Sequence, residues 1–281
     1  MQNYSIRKFK DKLAYIMSLL CVVIAIIPLG SILIEVIRNG IPAVNIEFLT
    51  QPPGAIGQPE GGIANAIQGT LILIGLTCVI GIPLGVFSGI YLAEFGDNKF
   101  GMLVRLSNNV LAQFPSIVIG IFAYLVVVLA LGSFSPLAGA IALSIIMLPI
   151  ITRTTEESLK LVPNTIREAA MALGVKRWRV TMNVVLSSAK SGIVTGIMLS
   201  VARIAGETAP LIMTILGSQW FFSGFTAPMD ALPLRIWRLA LLPYDYSHQQ
   251  GWGAALVLIS LVLALNIGAR FFTKGKYRIG R

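Results

Sequence analysis

Long apolar runs alternate with short polar stretches along most of the chain, and the polar stretches hold most of the charge. A helix needs about 20 apolar residues to cross a bilayer. By that measure six stretches can cross, at 13–37, 67–92, 103–131, 137–151, 192–216 and 254–272. The first is too long for the apolar part of a cleavable signal. The fourth is short, and only Gly132, Ser133, Phe134, Ser135 and Pro136 part it from the third. That turn signal predicts a helical hairpin whose second arm is shielded by protein. Pro28, Pro83 and Pro115 lie inside runs and predict kinks. In the second run Gly81, Gly85 and Gly89 recur every four places, which predicts a close helix–helix contact.

Two polar segments have a character of their own. Residues 39–65 are rich in proline and glycine and read as an irregular, ordered cap. Residues 218–251 carry Trp220, Phe221, Phe222, Trp237, Tyr244 and Tyr246. They read either as an interfacial aromatic belt or as a docking surface for an external partner.

Composition turns this pattern into a class. The chain is 56% hydrophobic and 12% charged, against about 25% charged in a soluble domain. So little charge cannot cover a water-facing surface. The expected fold is all-α, one polytopic membrane domain over residues 1–281 with six transmembrane helices. Disorder is excluded by the same numbers. The net charge of +10 would point to nucleic acid if it were gathered in one patch, but it is not. Eighteen of the 22 lysines and arginines fall in the arm 1–12, around the loop after the second run (Lys99 and Arg105), in the loop 153–190 and at the end of the chain from Arg270 onward. Only Arg38, Arg235 and Arg238 fall on the other side, and Arg203 lies within a run. This asymmetry places both termini in the cytoplasm and removes nucleic acid as a partner, leaving the lipid bilayer.

Candidate chemistry is sparse. Cys21 and Cys78 sit in apolar runs and read as buried small residues, and His248 stands alone in a polar loop. There is no paired-histidine, CxxC or phosphate-loop pattern. The chain is therefore expected to have no metal, no cofactor and no catalytic residue, and any ATP must be hydrolysed elsewhere.

Two places stand out against this background. In the loop 153–190, Thr165 and Glu168 have the spacing of a capping box, just after Pro163. A short helix over 166–173 should stop at Gly174, and a second piece over 176–179 should complete a helix–turn–helix knob. In the fifth run, Arg203 and Glu207 are four residues apart and should share a helix face. A charge inside a bilayer costs about 2.5–3.5 kcal/mol, so both should face protein or water. They read either as a self-neutralising pair or as a polar point on an anion path.

The knob carries a resemblance. Glu168, Ala169 and Ala170, then Gly174 after three residues, then Val184 and Leu186 after nine more, resemble the EAA loop of ABC importer permeases. Val184 stands where that pattern has isoleucine and Ser187 where it has proline, which leaves the start of the fifth span less sharply specified. Residues 153–163 and 202–211 are similar to the permeases of phosphate ABC importers. Residues 206–211 with 231–234 favour the A-type subunit over its C-type partner.

The resemblance implies a type I importer permease fold (MetI-like), with the knob as a coupling helix whose Glu168, Ala169, Ala170 and Gly174 meet an ATPase. It implies a second permease (PstC-type), two ATP-binding subunits (PstB-type) that hold ATP and Mg, and an external phosphate-binding protein (PstS-type). It implies the plasma (inner) membrane of a prokaryote, and a place for Arg203, Glu207 and Thr208 on the substrate path. Three rivals are a permease for another oxyanion, such as sulfate or molybdate, a non-transport anchoring subunit, and a stand-alone secondary transporter, which six spans without inverted-repeat halves and a cytoplasmic knob disfavour.

Glu207 looks out of place beside an anion. Phosphate near neutral pH, however, still carries a proton, its second pKa being about 6 as in a phosphate monoester. That proton can be donated to a carboxylate, whereas sulfate has none to give. An arginine with a glutamate would thus favour phosphate by leaving sulfate with two facing acceptors.

Overall fold

A computed structural model describes residues 4–55 and 60–274. The end of the expected basic tail, with Lys276, Arg278 and Arg281, lies outside the described residues. The described residues form helices and connections, with two isolated bridges and no strand.

Helix α1 (Tyr4–Gly40) is followed by a short helical turn at Ile46–Thr50 and then by α2 (Ala64–Glu94). Next come α3 (Lys99–Gln113) and α4 (Ser116–Leu131), α5 (Pro136–Lys160) and the short α6 (Asn164–Ala172). Helix α7 (Arg177–Ala205) is long, α8 (Ala209–Thr214) and α9 (Leu232–Leu241) are short, and α10 (Asp245–Lys274) closes the chain. Among the described residues α1, α2, α5, α7 and α10 are each long and apolar enough to cross a membrane, and α3 with α4 forms a bent sixth candidate.

Packing places α5 at the centre. In its most apolar stretch 61% of residues are buried, against 6% in α1 and 11% in α10. The expected shielding of the fourth run is therefore observed, although its helix continues past residue 151 to Lys160. Leu143, Met147 and Ile151 of α5 meet Leu73 of α2, Ile204 of α7, Leu211 of α8 and Ile215 just after it in one apolar core. The turn before α5 forms as its residues require. Gly132 has φ +68°, the Ser135 hydroxyl caps Ala138 N–H at 3.2 Å, and Pro136 opens the helix where a missing N–H costs nothing.

The glycine stripe of α2 seats on α5. A Cβ at Gly85 would lie 2.7 Å from Ile151 Cβ, and one at Gly89 would lie 2.5 Å from Thr155 Cβ. The two backbones are thus closer than any larger residue allows. Gly75, on the same helix, has nothing within 4 Å of such a Cβ. Alanine suits a helix better than glycine by about 1 kcal/mol, so Gly75→Ala is expected to raise the unfolding midpoint of the detergent-solubilised chain. Gly89→Ala is expected to lower it, because overpacking costs about 1–3 kcal/mol. Thermal unfolding of the two variants side by side checks this, and equal midpoints would contradict the close packing.

Three expectations need correction. The third run is not one straight crossing: α3 and α4 meet at 106° across Phe114 and Pro115, both in extended conformations. Proline disfavours helical geometry in the residue before it, so the chain breaks there instead of kinking. Pro28 and Pro83, by contrast, lie within unbroken helices. The fifth run, 192–216, is also interrupted. Its helix starts far earlier, at Arg177, and ends at Ala205. Cys21 is exposed on α1, not buried, while Cys78 is half-buried, and both are free thiols.

Candidate functional site

The interruption of the fifth run creates the first candidate site. The last turn of α7 closes through Gly206 N–H to Arg203 O and Glu207 N–H to Ile204 O, each 3.2 Å. The chain resumes at α8, where Thr208 O accepts from Leu211 N–H at 3.0 Å and Ile212 N–H at 3.2 Å. Core residues fix both flanks, with Ile204 on one side and Leu211 and Ile215 on the other. Helix α4 lies flush against the restart, since a Cβ on Gly120 would come within 2.6 Å of Pro210 Cα.

Arg203 therefore sits in the last turn of α7, and Glu207 sits beyond that helix instead of on its face. The carboxylate nevertheless turns back, with Arg203 Nη2 3.5 Å from Glu207 Oε1. That separation exceeds a good hydrogen bond. The two ends differ in burial: the Arg203 side chain is 57% exposed and that of Glu207 14%. A lodged carboxylate thus holds an open guanidinium, which can still offer paired N–H donors to an oxyanion. Thr208 is half-buried beside them, and its side chain makes no capping bond to α8.

The second candidate site is the knob. Helix α6 begins at Asn164, directly after Pro163. The capping box does not form, because Thr165 already lies inside the first turn and no side chain caps the helix. Termination follows the sequence. Gly174 has φ +77° and donates its N–H to Met171 O at 2.9 Å, after which α7 starts at Arg177. Ala170 packs on a small apolar cluster with Leu159, Val162, Val180 and Val185. Glu168, Ala169 and Gly174 face outward. So do Leu161, Met171, Leu173 and Trp178, an apolar surface at the polar end of the bundle. The helical rise of about 1.5 Å per residue separates Arg203 from the start of α7 by roughly 40 Å. The two sites are distinct, and α7 joins them.

Charged residues overlooked in the sequence organise the knob end. Glu94, the last residue of α2, pairs with Arg167 of α6. Glu156 of α5 takes Arg105 of α3 at 2.8 Å and Lys160 at 2.6 Å. Arg105 also donates to Gly96 O and Leu92 O, tying α3 to the end of α2. A cleft of about 210 Å³ lies there, and each of its three cations, Arg105, Arg153 and Lys160, is already paired with Glu156 or Glu157. The only sequence signal for Glu94 is an acidic residue at the end of an otherwise apolar run.

At the opposite end, Asp230 and Arg235 form a buried ion pair. Burial pushes the Asp230 carboxyl above its ordinary value, against the pull of Arg235. Arg235 and Asn65 both donate to Ser218 O, and Leu232 N–H donates to the Thr70 hydroxyl, which stitches the aromatic segment to α2. Trp220, Phe221 and Trp237 remain exposed there, while Phe222 packs on the core.

Residues 81–275 match the family model described as binding-protein-dependent transport system inner membrane component. The chain is 41% identical over 271 residues to the phosphate transport system permease protein PstA of Haemophilus influenzae, covering 96% of each. It is 42% identical over 272 residues to that of Pasteurella multocida, again covering 96% of each. It is 36% identical over 279 residues to the probable PstA of Methanocaldococcus jannaschii, covering 99% of each. Among solved structures, it superposes on a chain of the bacterial alginate ABC transporter with a TM-score of 0.71 at 15% identity, covering all of both chains. On a chain of the inward-facing MetNI methionine ABC transporter the score is 0.61 at 18% identity, covering 77% of this chain and 95% of that one.

Proposed function

The chain belongs to the PstA family of phosphate transport permeases, and on that premise we propose that Arg203, Glu207 and Thr208 lie on its anion path while the α6 knob receives an ATPase. It is the membrane subunit of an ATP-driven importer of inorganic phosphate, with the type I permease fold. An importer of this kind needs a second permease, an ATPase and an external binding protein. The finer reading is that these are of the PstC, PstB and PstS types, and that ATP and Mg stay on the ATPase pair. Both termini then lie in the cytoplasm, the knob faces inward, and residues 39–65 and 218–251 face outward, as the loop charges demand.

One observation carries the path assignment. The Arg203 guanidinium is open within an apolar helix while its carboxylate partner is lodged. A pair built only to neutralise itself would bury both ends, because lipid does not tolerate an exposed charge. An open cation fits a water-filled seam shared with the second permease. Glu207 beside it can accept the proton of hydrogen phosphate, which sulfate lacks. Weak binding is an advantage here, because the ion must also leave. The knob reading rests on the outward apolar residues Leu161, Leu173 and Trp178, which give an ATPase groove something to cover.

Proteoliposomes that hold this chain, the second permease, the ATPase pair and the binding protein test the reading. They are expected to accumulate labelled phosphate when ATP is enclosed with the ATPase, and to stop when this chain is left out. Uptake of sulfate or molybdate in place of phosphate would overturn it.

A further inference from the structure

Glu94 occupies a place where a carboxylate should not be. It is the last residue of α2, at the negative end of the helix dipole, and its side chain is only 5% exposed. Burial and dipole both oppose its charge, so its partners must hold it. The first partner is Arg167 of α6, whose Nε and Nη2 both donate to Glu94 Oε1, at 3.2 and 2.9 Å. The same guanidinium donates from Nη2 to Leu159 O at 2.8 Å, and from Nη1 to Val162 O at 2.7 Å and Asn164 Oδ1 at 3.1 Å. Its full set of N–H donors is thereby used. Leu159 and Val162 belong to the last turn of α5 and the link after it. One arginine on the knob therefore grips the ends of both α2 and α5.

The other partners come from the far side of the knob. Arg177 donates to Glu94 O at 2.5 Å and lies over the Phe95 ring, 5.1 Å from its centroid. The Thr181 hydroxyl makes a long contact of 3.4 Å with Glu94 Oε2 and lies 3.2 Å from Arg177 O. Thr181 opens a π-helical stretch, Thr181–Val185, where α7 is wound more loosely than an α-helix. Such stretches recur at functional sites and are strained places in a helix. Glu94 thus ties α2 to the knob both before and after its turn at Gly174. Helix α2 is in turn locked to the central α5 through Gly85 and Gly89.

We propose that Glu94 is a positioning residue of transport, the link through which a displacement of the knob moves α2 and α5 together. This rests on the reading that the knob receives the ATPase. Without the carboxylate, Arg167 loses its ion pair and keeps only its bonds to Leu159 O, Val162 O and Asn164 Oδ1, so the knob can shift without carrying α2. ATP hydrolysis then continues while transport falls behind.

The test uses the complete importer in proteoliposomes, with phosphate uptake and ATP hydrolysis measured on the same sample. Glu94→Gln and Arg167→Gln are each expected to lower phosphate moved per ATP about tenfold, within the range that a lost coupling between two sites produces. The double variant should be no worse than either single one, since both remove the same link. Glu94→Asp should recover part of the ratio. If Glu94→Gln does not assemble, Glu94→Asp and Arg167→Lys carry the test by a smaller fall in the same ratio. Thr165→Cys, on the exposed first turn of α6, reports docking by cross-linking to the ATPase. An intact cross-link with an unchanged ratio in Glu94→Gln, or additive losses in the double variant, would overturn the role of Glu94 alone. No cross-link in the otherwise unaltered importer would overturn the docking reading and this one with it.

Discussion

Replacing Arg203 with glutamine is expected to lower phosphate uptake by roughly ten- to a hundredfold, because a hydrogen bond to a charged group is worth about 1.5–3 kcal/mol. Assembly with the other subunits should be retained, because the Arg203 side chain is more than half exposed and packs little of this chain. The structural alternative makes a different forecast. If Arg203 and Glu207 only neutralise each other, the exchange Arg203→Glu with Glu207→Arg should restore most of what either single change loses. If they read the anion, the exchange should stay inactive. It would lodge the cation beyond the helix end and expose the carboxylate to the path. Glu207→Gln probes the proton. An amide both donates and accepts, so a protonless oxyanion is no longer refused. Phosphate uptake should fall and competition by sulfate should appear, while arsenate, protonated like phosphate, should compete with and without the substitution. Full uptake in the exchanged variant, or an unchanged sulfate response, would return the pair to a structural role.

Glu207 also marks where the sequence stops being legible. The apolar runs identify the long helices because bilayer-scale hydrophobicity is additive along a chain and needs no tertiary information. Helix breaks are different. Gly206 to Thr208 contain no proline, and the runs on both sides are apolar, so spacing alone reads Arg203 and Glu207 as one face of one helix. The break exists because Ile204 and Leu211 are both drawn into the core from either side of it, and such long-range packing is invisible locally. Pro115 is visible, but a proline inside an apolar run permits a continuous helix or a full break, as Pro83 and Pro115 show within the same chain. The knob was legible in outline for a local reason: Gly174 ends a helix by its own backbone freedom. Its start is not, because the helix opens at Asn164 directly after Pro163 and so takes Thr165 inside its first turn, where it cannot cap. Glu94 shows locally as no more than an acidic residue at the end of an apolar run, since each of its partners lies far along the chain.

Gly174→Val is expected to detach the ATPase or uncouple it, while insertion of the chain in the membrane stays normal. The residue holds φ +77°, and nothing in the chain lies within 4 Å of where a side chain would begin. No clash inside this chain can therefore explain a defect. Two causes remain, and they can be separated. A residue with a Cβ pays about 1–2 kcal/mol in the left-handed region, and a β-branched one pays more, whereas asparagine visits it readily. If the turn needs only the conformation, Gly174→Asn should keep ATPase association and phosphate uptake near the unaltered level, and Gly174→Val should lose both. If the ATPase surface closes over Gly174 itself, asparagine, whose side chain also begins with a Cβ and reaches further than that of valine, should fail as well. Co-purification of the ATPase and phosphate uptake, measured for both variants, give the answer. Loss in valine alone assigns Gly174 a conformational part in forming the knob, and loss in both makes it a contact. Normal association and uptake in Gly174→Val would remove the α6 knob as the ATPase docking site, since neither its shape nor its surface would then matter to the motor.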